Sequence, residues 1–286
     1  MSAPAHGTSR AGDASPKAGA PAHGTSRAGD ASPKAGASRV LAVDIGNTNV
    51  DVGVFQGSRL VRRAALPTDP SASARQWAAR FARLGLPRRA DRALVCSVVP
   101  RATAGVAGAL KTLIQGRILV VGRDVQVPLR NRYADPGQVG QDRLVGAFAA
   151  WAAYHRACVI VDFGTAVTFD VVLPPGDYLG GLIAPGLDLS RRALAAHTAL
   201  LPEVPLKAPR ALLGRTTRES IRSGLIHGSA AMVDGLVERL KRAYAPSALV
   251  IAAGGSARLV SRYAASIDLT RPHLVLEGLR LLAARS

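Results

Sequence analysis

The chain has 286 residues, 48% of them hydrophobic but only 4% aromatic, and a formal net charge of +18. That length holds two modest domains or one large one, with a core built from Ala, Val, Leu and Ile. The charge is almost all arginine, scattered without a run of five or six basic residues and without interleaved aromatics, which argues for a compositional habit and against a single-strand nucleic-acid surface.

Two cysteines, Cys96 and Cys158, each lie in an apolar run. They suit buried free thiols and give neither a disulfide framework nor a zinc spacing. The first residues contain no apolar stretch of signal-peptide type. The longest apolar segments, such as Leu144 to Tyr154, fall short of the roughly 20 residues a membrane helix needs. The expectation is a soluble cytoplasmic protein with neither membrane nor nucleic acid as partner.

Residues 3–19 read APAHGTSRAGDASPKAG, and residues 20–36 repeat that string unchanged. Ordering costs about 1–2 kcal/mol per residue in backbone entropy, and this segment has no large apolar side chain to bury in return. Residues 1–38 are therefore expected to form a disordered tail. From Arg39 the composition becomes globular. Val40–Gly46 and Val50–Phe55 read as strands joined by a Gly turn, opening the fold as a hairpin or meander. A helix follows over 71–86, with Trp77, Phe81 and Leu84 at helical spacing. Next come a strand at Ala93–Val99, a helix around 101–115 and a strand at Arg117–Val121. Past a loop at Pro128–Gly140, a helix is predicted from Asp142 to Tyr154. Ala157–Gly164 and Ala166–Leu173 repeat the opening strand, Asp, turn, strand theme. Helices are predicted around 186–199, 217–242 and 272–284, with a strand from Ala248 to a double glycine at Gly254-Gly255. Interleaved strands and helices give an α/β class.

The two Asp-turn-Thr hairpins carry the chemistry. In Asp44-Ile45-Gly46-Asn47-Thr48, glycine lets a ligand approach bare backbone, and the turn amides with Asn47 and Thr48 can cradle phosphate oxygens. Asp44 at the strand end suits Mg²⁺, which keeps its waters and takes few carboxylates. An ordinary Asp-x-Gly turn would read the same. The second copy, Asp162-Phe163-Gly164-Thr165, favours a nucleotide cleft between two related lobes. No GxxxxGK[ST] sequence and no protein-kinase signature set occurs, so a kinase built on this chain holds phosphate by hairpins.

Taken in order, several motifs resemble those of type III pantothenate kinases within the actin-like kinases. They are DIGNTN (Asp44–Asn49), CSVVP (Cys96–Pro100), Tyr133 with Pro136 and Gly140-Gln141-Asp142-Arg143, DFGTA (Asp162–Ala166), the Gly180-Gly181 to Gly186 loop, Gly214 with Thr217, and Ala253-Gly254-Gly255. Ala253 stands where the family has Thr, and Cys96 where it has Ser. The resemblance runs from about residue 40 to 281. It implies two related ribonuclease-H-like (actin-like ATPase) lobes, residues 39–147 and 148–286, with the nucleotide cleft between them and the last helix packing back on the first lobe.

The resemblance also implies roles. ATP binding would fall to Asp44, Ile45, Gly46, Asn47, Thr48, Asn49, Val50 and Asp51, together with Thr165. Pantothenate would meet Tyr133, Gly140, Gln141, Asp142, Arg143 and Thr217, and Asp142 would be the general base for its primary hydroxyl. A carboxyl of ordinary pKa cannot strip an alcohol in advance, but it can orient the hydroxyl and accept the proton late. A helix N-cap beside Arg143 is the plainer reading of Asp142. Asp162 would bind a monovalent cation, K⁺ or NH₄⁺, and Asp44 would bind Mg²⁺. Asp51 and Asp170 sit in strands, their sidedness is open, and neither receives a role from the residue pattern. The implied activity is ATP-dependent phosphorylation of pantothenate to 4′-phosphopantothenate, the first step toward coenzyme A, by a homodimer. Two alternatives remain: a non-catalytic basic regulatory protein on the same fold, and a kinase for another small alcohol.

Overall fold

The computed structural model describes residues 38–87 and 89–286. The duplicated repeats, expected to be disordered, lie outside the described residues. The first sheet comprises β1 (Arg39–Ile45), β2 (Asn49–Gln56), β3 (Arg59–Pro67), β4 (Arg89–Ser97) and β5 (Gln115–Val120), in the order β3-β2-β1-β4-β5. β2 runs antiparallel to both β1 and β3, while β4 lies parallel to β1 and to β5. The second sheet comprises β6 (Arg130–Asn131), β7 (Cys158–Phe163), β8 (Ala166–Leu173), β9 (Asp177–Pro185), β10 (Leu249–Ala253) and β11 (Leu269–Thr270). Its order is β11-β10-β7-β8-β9-β6. Without the short β6, it repeats the first sheet strand for strand, in order and in direction. Both hairpin acids lie at the carboxyl ends of equivalent central strands, Asp44 on β1 and Asp162 on β7.

The helices are α1 (Ala74–Arg83), α2 (Pro100–Leu113), α3 (Gln141–Tyr154), α4 (Leu187–Ala196), α5 (Thr217–Tyr244), α6 (Ala257–Val260) and α7 (Leu274–Ala283). Central strands are apolar on both faces because helices cover both. In the first sheet, Leu41, Val43 and Val95 pack with Trp77 and Phe81 of α1 and Val106 and Leu110 of α2. On the opposite face, Ala42, Leu94 and Cys96 pack with Val145 and Phe148 of α3 and Leu276 and Leu279 of α7. In the second sheet, Val161 and Val250 meet Ile226, Val233 and Val237 of α5. Its other face, with Ile160 and Ile251, meets Leu144, Ala147 and Ala150 of α3.

α3 is thus shared by both sheets, which explains why it is apolar nearly all round from Leu144 to Ala150. The expected break between residues 147 and 148 falls inside it. α7 crosses α3 closely at Gly278, where a Cβ would come within 2.5 Å of the Val145 carbonyl oxygen. No helix among the described residues is long and apolar enough to cross a membrane.

Four strands were not read from the sequence: the two-residue β6 and β11, and the longer β3 and β9. β3 extends the opening hairpin into a three-strand meander, although its exposed arginines gave no apolar alternation. β9 contains Gly180-Gly181, which read as a loop. It pairs with β8 through an irregularity between Val171 and Val172, where Gly180 takes φ +117°.

Candidate functional site

A cavity of about 420 Å³ opens between the carboxyl ends of the two sets of central strands. Asp44, Asp142 and Asp162 all line it, as do Gly46, Asn47, Thr48, Asn49 and Asp51 of the first hairpin and Thr165 of the second. The turn of the first hairpin closes by Gly46 N–H donating to Asn49 O at 2.9 Å, and Thr68 Oγ1 donates to Gly46 O at 2.7 Å. The second closes by Gly164 N–H donating to Ala166 O at 3.0 Å. Thr48 and Thr165 meet hydroxyl to hydroxyl at 2.7 Å, so the two turns touch.

Arg143 lines the cavity beside Asp142, whereas Ile45, Val50, Tyr133, Gly140, Gln141 and Thr217 do not. Ile45 and Val50 are fully buried in the core beneath the first turn. Gly140 caps α3, so the cap is not Asp142. Asp142 is the helix's second residue, and its Oδ1 accepts the N–H of Arg143 at 2.8 Å. A Cβ on Gly140 would fall 2.5 Å from that oxygen, so a larger residue there would push the Asp142 carboxylate from its present place. Gln141 packs against Gly122, and the Tyr133 ring lies against Gly180. Thr217 begins α5 in an exposed position, one residue after Thr216, which caps the helix, and it does not line the cavity.

Like charges in one recess perturb one another. Burial, then Asp142, Asp51 and Asp162 in turn, raise Asp44 well above the usual carboxylate range. Burial, then Asp142, Asp170 and Asp51, push Asp162 up to about 7. Burial raises Asp142 as well, against the stabilising Arg143 N–H and guanidinium. The neighbouring parallel strand in each sheet places Cys96 beside Asp44 and Ala253 beside Asp162. Cys96 is fully buried, and its thiol helps to hold down Asp44. Ala253 is buried on the α3 face and is not part of the cavity lining.

The residues fit the cations that the motifs imply. Oδ1 of Asp44 is buried with no hydrogen-bond partner, an acceptor left for a ligand. Gly254 takes φ +86°, and a Cβ on it would come within 2.4 Å of Asp162 Oδ1, so bare backbone crowds that carboxylate. Among the described residues, no group of three or more His, Cys, Asp or Glu stands ready to hold a metal. Mg²⁺ in phosphoryl-transfer sites needs no such cage, because it takes one or two carboxylates and completes its shell with water and phosphate.

Sequence reasoning passed over Arg63, Arg192 and His273 and gave Asp170 no role, and all four line the cavity. Asp170 had a visible signal, since it follows Asp162 by nearly the interval at which Asp51 follows Asp44.

The repeated five-strand order, with an acid-lined cleft between its copies, defines the actin-like ATPase and sugar-kinase fold. Among solved structures, a candidate 2-dehydro-3-deoxygalactonokinase from Sinorhizobium meliloti superposes with a TM-score of 0.54 at 14% identity, covering 86% of this chain and 96% of that one. A candidate Baf family transcriptional activator from Campylobacter jejuni gives 0.51 at 17%, covering 86% and 97%. Both likenesses speak for the fold alone. Sequence comparison goes further. The family profile described as type III pantothenate kinase matches residues 40–239. Type III pantothenate kinases of Geobacter sulfurreducens and Dehalococcoides mccartyi strain CBDB1 are 38% and 37% identical over 257 and 251 residues. The matches cover 86% and 85% of this chain and 99% and 95% of those proteins. The chain belongs to the type III pantothenate kinase family.

The raised Asp162 has a measurable consequence. Between its ordinary value of 3.8 and about 7, the folded chain keeps a proton that the unfolded chain has released. Its contribution to stability is therefore present at low pH and is lost as pH rises through that window. Asp162→Asn, scanned calorimetrically without nucleotide or K⁺, is expected to gain Tm over wild type as pH goes from 5 to 8, by about 2–4 °C for each kcal/mol recovered. A variant that loses ground at pH 8 would contradict the buried, mutually repelling carboxylates.

Proposed function

We propose that this cavity transfers the γ-phosphoryl group of ATP to the primary hydroxyl of pantothenate, giving ADP and 4′-phosphopantothenate. Each sheet with its helices forms one lobe, α3 is common to both, and the triphosphate lies along the two hairpin turns. The observation that carries this reading is the convergence of Asp44, Asp142 and Asp162 on one recess between the turns.

The chain's own residues divide the work as follows. Amides of the Gly46–Thr48 turn, with the Asn47 and Thr48 side chains, hold phosphate oxygens, and Thr165 completes the cradle from the other hairpin. Asp142 accepts the hydroxyl proton as the alcohol oxygen bonds to phosphorus and the bond to ADP breaks. Its raised pKa brings it closer to the alcohol than a free carboxylate would be. Arg143 beside it supplies positive charge on the acceptor side. Asp44 would hold Mg²⁺ and Asp162 K⁺ or NH₄⁺, and together these cations supply the charge that offsets the triphosphate and the three carboxylates. Positioning and charge neutralisation account for the catalysis, as phosphoryl transfer requires. On this reading the protein works in the cytoplasm, at the head of coenzyme A synthesis.

A homodimer belongs to the same reading. Leu200, Leu212 and Leu213 are 90%, 72% and 80% exposed in the connection from α4 to α5, and Thr217 at the start of α5 is exposed as well. A second copy covering that face would bury these leucines and enclose Thr217. Sedimentation equilibrium at micromolar protein is expected to give a dimer that Leu212→Asp weakens; a wild-type monomer would contradict it.

The direct test is ATP-dependent phosphorylation of pantothenate with Mg²⁺ and K⁺ present. Asp142→Asn is expected to lower kcat by roughly 10²–10⁴-fold with KM for ATP little changed. Full activity in that variant would refute the base assignment. An inactive wild type that binds DNA with a steep salt dependence would favour the regulatory alternative.

A further inference from the structure

One acid in the cavity wall takes no part in the chemistry described above. Asp170 on β8 is only 2% exposed. Three side chains donate hydrogen bonds to its carboxylate. Arg143 Nε donates to its Oδ1 at 2.9 Å, Tyr178 OH donates to the same oxygen at 2.7 Å, and Thr168 Oγ1 donates to Oδ2 at 3.1 Å. Arg143 Nη2 stands 2.8 Å from Oδ1 as an ion pair, and the side chains of Arg143 and Asp170 are 10% and 3% exposed. That Nη2 is buried and makes no aligned hydrogen bond.

The surroundings are shaped around this pair. A Cβ on Gly181 would fall 3.0 Å from Arg143 Nη2 and 1.5 Å from the Phe169 carbonyl oxygen. A Cβ on Gly180 would fall 3.0 Å from the Tyr133 ring. The double glycine is therefore a notch in β9 that admits a guanidinium and an aromatic ring side by side. Arg143 belongs to the first turn of α3, immediately after Asp142, whereas Asp170, Thr168 and Tyr178 belong to the β8-β9 meander that continues the Asp162 hairpin. The ion pair thus ties the turn bearing the base to the strands bearing the second phosphate hairpin.

We propose that Asp170, seated by Tyr178 and Thr168, is the positioning residue of the acceptor half of the site: it holds the Arg143 guanidinium in the Gly180-Gly181 notch and, through it, sets Asp142 and the acceptor relative to the phosphate hairpins. The assignment rests on the pantothenate kinase reading. The physical reason is that a guanidinium this deeply buried cannot stay without its counter-charge. With Asp170 neutral, Arg143 leaves the notch, and both the cation beside the acceptor and the tether on the first turn of α3 are lost. ATP, held by the hairpin turns, is affected much less.

The test is a double-mutant cycle read with pantothenate and ATP varied separately. Asp170→Asn keeps the shape and the hydroxyl partners but removes the charge. It is expected to lower kcat/KM for pantothenate by about tenfold or more, while KM for ATP stays within about twofold. In an Arg143→Gln background the same change is expected to add less than about twofold, because Arg143 is the group through which Asp170 acts. Tyr178→Phe, which removes one hydrogen bond and no charge, is expected to shift the pantothenate parameters in the same direction by a smaller factor. It also reads the same link should Asp170→Asn fail to fold. Losses that multiply in the double variant, or a lower Tm with unchanged pantothenate kinetics, would overturn the assignment and leave the kinase reading intact. A wild-type chain that turns over no pantothenate would overturn both.

Discussion

Three carboxylates facing one recess repel one another, and the fold nevertheless holds them there. Burial strips water from Asp44, Asp142 and Asp162; Asp44 feels Asp142 and Asp162, and Asp162 feels Asp142. An isolated fold would relieve such a cluster by pairing or exposing its members. Here Asp44 Oδ1 keeps no partner at all. That cost is consistent with a site that receives its counter-charge from outside, with cations arriving alongside a polyphosphate. Electrostatic preorganisation of this kind costs stability in the empty protein and lowers the barrier once the cations are in place.

The architecture explains how one chain can impose the cluster twice. Each sheet repeats the same five-strand order, and each puts an aspartate at the carboxyl end of its central strand just before a tight turn. Parallel neighbours on one side and an antiparallel hairpin on the other fix the position of each acid in register. Thr48 and Thr165 then join the two turns across the gap. α3 contributes the third acid from between the sheets, where its all-round apolar surface seats it against both cores. Gly140, the cap, is small enough to leave the Asp142 carboxylate free above the first turn.

The sequence made much of this legible and left definite parts hidden. The two hairpins were readable because glycine, a short polar turn and flanking β-branched runs coincide at Asp44–Val50 and Asp162–Val167. α3 was readable because its apolar run is long. β9 was not, since Gly180 and Gly181 read locally as a loop, and only the approach of Tyr133 and Arg143 explains glycine in a strand. The partner of Asp170 was not, because nothing in a strand's alternation says that a buried acid will meet an arginine 27 positions earlier. Ile45 and Val50 were drawn into the phosphate motif by their neighbours, but strand alternation turns both side chains into the core. Thr217 shows the complementary limit, since it lies exposed away from the cavity in a single copy and gains a place at the site only if another copy covers that face.

Burial and like charge hold the pKa of Asp162 at about 7 in the empty site, so it is the group expected to release a proton when cations enter with the nucleotide. Calorimetric titration of preformed Mg–ATP with K⁺ at pH 7, repeated in buffers of different ionisation enthalpy, reads this proton count directly. Net proton release on binding is the expected result, because ligand cations deprotonate the groups they meet. Proton uptake, or no transfer, would mean that the triphosphate's own charge dominates and that the carboxylates do not face bound cations, which would contradict the account.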